Sequence, residues 1–312
     1  MKVFVTGVNG QLGHDVAVEL IKRGHTAIGS DIAPTASSSD VLQMKRPEGS
    51  VIPDPSYMQL DITEADAVKT VLTGIHPDAV IHCAAWTAVD LAEEDDNVPK
   101  VRKVNVDGTR NIAEACKAID AKMLYLSTDY VFDGQGTEPR KPDDKNFAPV
   151  NVYGRSKLDG ELAIASVLLK YFIVRIAWVF GQNGKNFINT MLNVGKTHDT
   201  VRVVCDQIGT PTYTYDLARL LVDMIQTDKY GYYHATNEGG YISWYDFCCE
   251  IYRQASMSTK MIPVTTAEYG LSKAARPFNS KLDKSKLAEE GFTPLPDWKD
   301  ALKRYLMEVG WQ

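Results

Sequence analysis

Tyr153 and Lys157 stand four residues apart in the run Tyr153-Gly154-Arg155-Ser156-Lys157. On a helix, positions i and i+4 share a face. An ammonium held there stabilises a phenolate and draws the phenol pKa down from about 10, toward the pH at which it exchanges protons with a reacting oxygen. The same interval is met by a core ring followed by a solvated charge, so the pair needs surrounding elements that set it beside a reaction. The chain opens with such elements. Lys2-Val3-Phe4-Val5-Thr6 reads as a buried strand that runs directly into Gly7-Val8-Asn9-Gly10-Gln11-Leu12-Gly13. Leu12, Val16, Leu20 and Ile21 then recur at helical intervals up to Arg23, and Gly24 supplies the stop. Strand, glycine turn and helix N-terminus make a phosphate cradle. Glycines let the backbone approach a pyrophosphate, while free N–H groups and the helix dipole attract its charge. The spacing is G-x-x-G-x-x-G, a loose match to the G-x-G-x-x-G fingerprint.

Strand and helix patterns alternate through the first half, which predicts an α/β fold with a doubly wound parallel sheet of Rossmann type. Residues 26–30, 57–60, 79–82 and 122–127 read as the next strands. Residues 64–72, with Thr63 and Asp66 as a capping box, and 105–119 read as helices. Asp31 ends the second strand eighteen residues beyond Gly13. An acidic side chain there accepts from both ribose hydroxyls and repels a 2′-phosphate, which favours NADH. Thr128 closes the fifth strand at the carboxyl edge of the sheet, where such folds bind ligands. Residues 34–56 interrupt the rhythm with Ser37-Ser38-Ser39 and four prolines and read as a long surface loop, from which Lys45 or Arg46 can reach a phosphate. Later, 201–204 reads as a strand, and 215–225 and 244–254 as helices, the last capped by Ser243 with Asp246.

Composition narrows the function classes. With 312 residues, 44% hydrophobic content and mean hydropathy −0.22, the chain is ordinary for a globular protein. No apolar run approaches the roughly 18 residues of a membrane span, and no secretory pattern is seen at the start, so a cytoplasmic protein is expected. Cys83, Cys116, Cys205, Cys248 and Cys249 form neither a metal spacing nor a disulfide framework. A net charge of −6 gives no general attraction for nucleic acid or an acidic membrane, so an anionic ligand must be held by local groups.

Seven segments, 7–13, 82–90, 127–134, 153–157, 175–181, 206–212 and 276–280, occur in an order that resembles the extended short-chain dehydrogenase/reductase family and, within it, the dTDP-4-dehydrorhamnose reductases. The resemblance implies a smaller, interleaved α/β substrate domain. The dinucleotide-binding domain would take 1–175 with about 201–230, and the substrate domain about 176–200 and 231–312. It implies Thr128, Tyr153 and Lys157 as the catalytic set: Thr128 polarises a ketone, Tyr153 delivers the proton and Lys157 also binds the nicotinamide ribose. It places the cofactor, NADPH or NADH, against Gly7, Asn9, Gly10, Gln11, Leu12, Gly13, Asp31, Asp61, Ile62, Ala84, Ala85, Thr87, Asn105, Tyr153 and Lys157. Asn105 is either a support for the lysine or a helix cap. The substrate, a dTDP-linked 4-keto-6-deoxyhexose, is implied at Thr87, Val89, Thr128, Asp129, Tyr130, Trp178 and Arg276, with Trp178 alternatively core and Arg276 alternatively a surface charge.

Thr128-Asp129-Tyr130 stands where dehydratases of this superfamily carry Thr-Asp-Glu. Without the glutamate base, elimination of water is disfavoured and ketone reduction favoured. The activity implied is NAD(P)H-dependent reduction of dTDP-4-dehydro-6-deoxy-L-mannose to dTDP-L-rhamnose, in a monomer or homodimer. The alternatives are another nucleotide-sugar epimerase or reductase, and a non-catalytic regulatory subunit resembling that of methionine adenosyltransferase. Some relatives dimerise around magnesium, but Asp15 and Glu19 are too little to predict a metal.

Overall fold

Alternating side chains in the first strands decide the architecture of this computed structural model, which describes residues 1–35 and 56–311. In β1 (Lys2–Thr6), Val3 and Val5 face one side of the sheet and Phe4 the other, as the period of two in a strand requires. The same alternation separates Ala79 and Ile81 from Val80 in β4 (Ala79–His82). It also separates Leu124 and Leu126 from Met123 and Tyr125 in β5 (Lys122–Thr128). Apolar residues on both faces demand cover on both faces. Helices α1 (Gln11–Lys22) and α7 (Thr214–Ile225) cover one. Helices α2 (Ala65–Ile75), α4 (Thr109–Ala118) and α5 (Val152–Val167) cover the other.

With β2 (Thr26–Asp31), β3 (Ser56–Gln59), β6 (Tyr171–Ile176) and β11 (Gly231–His234), these strands form one parallel sheet in the order β11-β6-β5-β4-β1-β2-β3. The strand order reverses between β1 and β4, and the crevice at their carboxyl ends is the ligand position for such a sheet.

The remaining elements build a second cluster. Paired strands are β7 (Val179–Phe180) with β10 (Thr212–Tyr213), β8 (Thr200–Val204) with β13 (Lys260–Val264), and β9 (Ile208–Gly209) with β12 (Ile242–Ser243). Helices α6 (Phe187–Gly195), α8 (Trp244–Gln254) and α11 (Trp298–Glu308) pack on them around Phe180, Tyr213, Phe247 and Tyr305. Short helices α9 (Thr266–Tyr269) and α10 (Ser285–Glu289) complete the fold. Strand β8, which the sequence grouped with the nucleotide-binding half, pairs with β13, whereas β11 crosses back to join the large sheet.

Three local expectations meet different outcomes. The Ser243–Asp246 capping box at α8 forms in full. The Thr63–Asp66 box does not: the Asp61 carboxylate accepts the Thr63 N–H at 2.9 Å, and α2 starts at Ala65 without a side-chain cap. The helix expected from Asn105 begins earlier, as α3 (Val98–Arg102) continuing through a π-helical stretch, Lys103–Gly108, into α4. Asn105 is therefore inside a helix and not its cap. Lys45 and Arg46, with most of the 34–56 loop, lie outside the described residues.

One buried ion pair ties α5 to the sheet. Glu161 accepts from Arg175 at 2.9 and 2.8 Å, with both side chains at most 1% exposed. The rings of Phe132, Phe147 and Tyr232 surround the guanidinium at 5.0–5.2 Å.

Candidate active site

Thr128 ends β5 at the carboxyl edge of the sheet, and its hydroxyl starts the next turn by accepting from the Tyr130 N–H at 3.3 Å. The same hydroxyl donates to Asp129 Oδ1 at 3.0 Å. Tyr153 enters from α5. Asn151 caps that helix, its side chain accepting from the Gly154 N–H at 2.7 Å. Gly154 packs on the Tyr130 carbonyl, where a Cβ would collide, so the helix settles directly on the turn after β5. Tyr153 and Tyr130 consequently meet edge to face at 5.7 Å, and the Thr128 hydroxyl comes within hydrogen-bonding reach of the Tyr153 phenol. Lys157, one turn further on, is buried, with Nζ 4.0 Å from the centroid of the Tyr125 ring.

The electrostatics reverse one expectation. Lys157 does not draw the Tyr153 pKa down: burial pushes the phenol up, the Asp129 charge adds to this, and the Thr128 hydrogen bond only partly opposes them. Lys157 is itself pushed down to about 7, chiefly by burial, with Glu161 acting in the other direction. Asp129 is pushed up to about 6, again chiefly by burial, against hydrogen bonds from Ser280 and Thr128. Burial in a low-dielectric setting is the largest cause of all three shifts. A phenol so placed is protonated at neutral pH, which is the state a proton donor needs.

The opening glycine turn has the geometry of an anion cradle. Gly7 has φ +68°, and a Cβ there would lie 2.6 Å from the Ala84 N. Gly13 packs on the Gly7 carbonyl, again leaving no room for a side chain. Gly10 caps α1 without a side-chain hydrogen bond, and the first turn carries no acidic residue. A glycine-lined helix start without a side-chain cap suits a pyrophosphate. Asp31 stands at the far end of β2 and accepts from the Asn9 N–H at 3.2 Å and the Ile32 N–H at 2.8 Å. Gln11 turns toward the second cluster, donating to the Lys185 carbonyl at 3.3 Å. Leu12 and Ile62 are core side chains, so only their backbones can meet a ligand. Ala84 donates its N–H to Thr6 Oγ1 at 3.2 Å. On the same loop Ala85 and Val89 are half-buried and Thr87 is exposed.

Asn105 acts through the backbone of that loop. Its Oδ1 accepts from the Trp86 N–H at 2.8 Å, and Nδ2 donates to the Trp86 carbonyl at 3.1 Å and to Ser156 Oγ at 2.9 Å. It thus joins the loop after β4 to the helix bearing Tyr153 and Lys157, from a π-helical turn of the kind that recurs at functional sites.

On the substrate side, Trp178 is half-buried with φ +50°, a left-handed conformation that a bulky residue adopts only under constraint. Its indole stacks on Trp244 at 3.7 Å and 16° and packs against Gly209. It is both packed on the core and partly open. Arg276 donates to Asp90 Oδ2 at 2.6 Å and to the Tyr130 phenol at 3.3 Å. Asp90, Asn151, Ser156 and Trp244 join the site without having been singled out. Asn151 had a readable signal, an N-cap residue three before Gly154, whereas the others depend on tertiary contacts between distant segments.

Comparison with known proteins gives a consistent result. A family model described as RmlD substrate binding domain matches residues 1–310. The chain is 36% identical to a dTDP-4-dehydrorhamnose reductase of Aggregatibacter actinomycetemcomitans, with 97% of each chain covered. It is 35% identical to the spore coat polysaccharide biosynthesis protein SpsK of Bacillus subtilis, covering 98% of this chain and 97% of the relative. Among solved structures, a dTDP-4-dehydrorhamnose reductase of Bacillus anthracis in complex with NADP superposes with TM-score 0.85 at 38% identity, covering 99% of this chain and 100% of the other.

Proposed function

The chain belongs to the RmlD substrate-binding-domain family, and from that membership we propose that it is an NAD(P)H-dependent oxidoreductase. It would reduce the 4-keto group of dTDP-4-dehydro-6-deoxy-L-mannose to give dTDP-L-rhamnose in the cytoplasm. The observation that supports the reading is the approach of the Thr128 hydroxyl, at the carboxyl edge of the sheet, to the Tyr153 phenol on α5, with Lys157 buried one helical turn further on. A relative carrying the reductase name and a similar structure complexed with NADP support the substrate and cofactor classes.

Gly7, Gly10 and Gly13 with the α1 N-terminus would hold the pyrophosphate, and Asp31 the adenosine ribose. When bound, the nicotinamide supplies hydride. Thr128 would orient the carbonyl by turning its one O–H from Asp129 to the substrate oxygen, and Tyr153, kept protonated by burial, would give its proton to that oxygen as charge develops there. Lys157, buried one helical turn further along α5, would hold the nicotinamide ribose. Asn105 fixes the spacing between this helix and the loop after β4. Trp178 walls the hexose and Arg276 meets the diphosphate. The nucleotide-binding part would comprise 1–175 with α7 and β11, and the substrate part the paired strands with α6, α8 and α11.

Purified protein mixed with a panel of 4-keto nucleotide sugars tests the reading, with loss of reduced-cofactor absorbance as the signal. The dTDP-linked 4-keto-6-deoxyhexose should be turned over best. No oxidation with any member of the panel would refute the reductase assignment.

A further inference from the structure

Residues 273–280 form a strap across the substrate side of the site, and Asp90 is its main fastening. One carboxylate oxygen of Asp90 accepts from Arg276 Nη2 at 2.6 Å, and the other from the Ala274 N–H at 3.0 Å. Asn151, the cap of the Tyr153 helix, donates to the Ala275 carbonyl at 2.8 Å. Pro277 lies on Gly134, where no side chain fits. The strap is thus fixed to the loop after β4, the turn after β5 and the start of α5. Arg276 and Asp90 remain reachable, with side chains 24% and 46% exposed.

The guanidinium is already committed. Nη2 faces a carboxylate and Nη1 a phenol, the two directions in which an arginine would grip a phosphate. We propose that Asp90 is an internal stand-in for the substrate's diphosphate. It holds Arg276 at the edge of the sugar site, neutralises it when no ligand is present, and competes with incoming phosphate oxygens for the same N–H groups. This rests on the reading of Arg276 as the diphosphate ligand. Asp90 thereby sets selectivity by charge: a nucleotide sugar with a full diphosphate displaces or shares the contact, and a ligand with less negative charge does not.

Asp90→Asn keeps shape and an acceptor oxygen but removes the charge. For a half-exposed carboxylate near the ligand charge, the KM for the nucleotide sugar should fall roughly three- to tenfold. The dissociation constant of dTDP, measured by calorimetry on the purified protein, should fall in parallel, while the KM for NAD(P)H holds. Arg276→Gln should raise both sugar-side constants, and adding Asp90→Asn to it should change little more, because the two side chains act through one contact. If Arg276→Gln weakens dTDP binding but Asp90→Asn leaves it unchanged or weaker, the stand-in role is overturned and the reading of Arg276 survives. If Arg276→Gln leaves dTDP binding unchanged, both fall.

Discussion

At the residue scale, the account turns on a phenol that burial keeps protonated and a lysine that burial keeps easily neutralised. Tyr153→Phe should retain cofactor binding in a fluorescence titration and lose about 10²–10⁴-fold in turnover, the range that acid catalysis supplies. Near-normal turnover would remove Tyr153 from the chemistry. Lys157 gives a stability signature of its own. Its pKa is about 7 in the folded protein against 10.5 ordinarily, so between those values the unfolded chain binds more protons and stability rises with pH. Below about pH 7 the penalty for charging a buried ammonium is fully present. Lys157→Met should therefore melt higher than the parent at pH 6.5, with the gap narrowing by pH 9.5, and a gap independent of pH would contradict the burial argument. The placing of Tyr153 and Lys157 one turn apart on a single helix was legible from a four-residue interval, but the direction of the phenol's shift was not. It depends first on burial, which follows from how closely Gly154 seats the helix, and then on Asp129.

At the scale of elements, α5 carries both Tyr153 and Lys157, and the proposed chemistry requires it to be held at a fixed height above the sheet. The cap at Asn151 and the contact at Gly154 do this in the first turn, and the Glu161–Arg175 pair does so about two turns further on. Glu161→Gln leaves the Arg175 charge buried without its partner, and should cost about 3–5 kcal/mol in denaturant unfolding. A cost under about 1 kcal/mol would mean that the pair is not anchoring the helix. The first strand, the glycine turn and α1 were readable because their signals are local: an apolar run, three glycines and a helical repeat. The start of α2 was misread because Asp61, two residues before Thr63, captures the Thr63 N–H that the expected capping box would give to Asp66. Asn105 was readable as important but not as mid-helix, since a π-helical stretch has no sequence period of its own.

At the scale of the molecule, the parallel sheet supplies an edge and the second cluster supplies a wall facing it. Strand β11 pairs with β6 although 59 residues separate His234 from its partner Arg175, so no local pattern could assign it. The seven segments in register carried the family and an interleaved arrangement, but the pairing of β8 with β13 and of β11 with β6 was visible only in the structure. No helix among the described residues is long and apolar enough to cross a membrane. If the glycine turn holds the cofactor, NAD(P)H at a hundred times its dissociation constant should stabilise the fold by about 2.7 kcal/mol. Gly10→Val places a side chain at the exposed start of α1, where φ is −82° and the new Cβ would stand 3.3 Å from the Gly7 carbonyl oxygen, inside the cradle. It should abolish the thermal shift measured against the free variant's own melting temperature. A shift that persists would place the pyrophosphate elsewhere.

The most direct measurement follows a label. The protein, incubated with the dTDP-linked 4-keto-6-deoxyhexose and NAD(P)H deuterated at the transferable nicotinamide position, should yield a sugar bearing deuterium at C4 by NMR, at a rate that collapses in Tyr153→Phe. Deuterium absent from C4, or its arrival at an undiminished rate in the variant, would contradict proton delivery by Tyr153 beside a hydride donor.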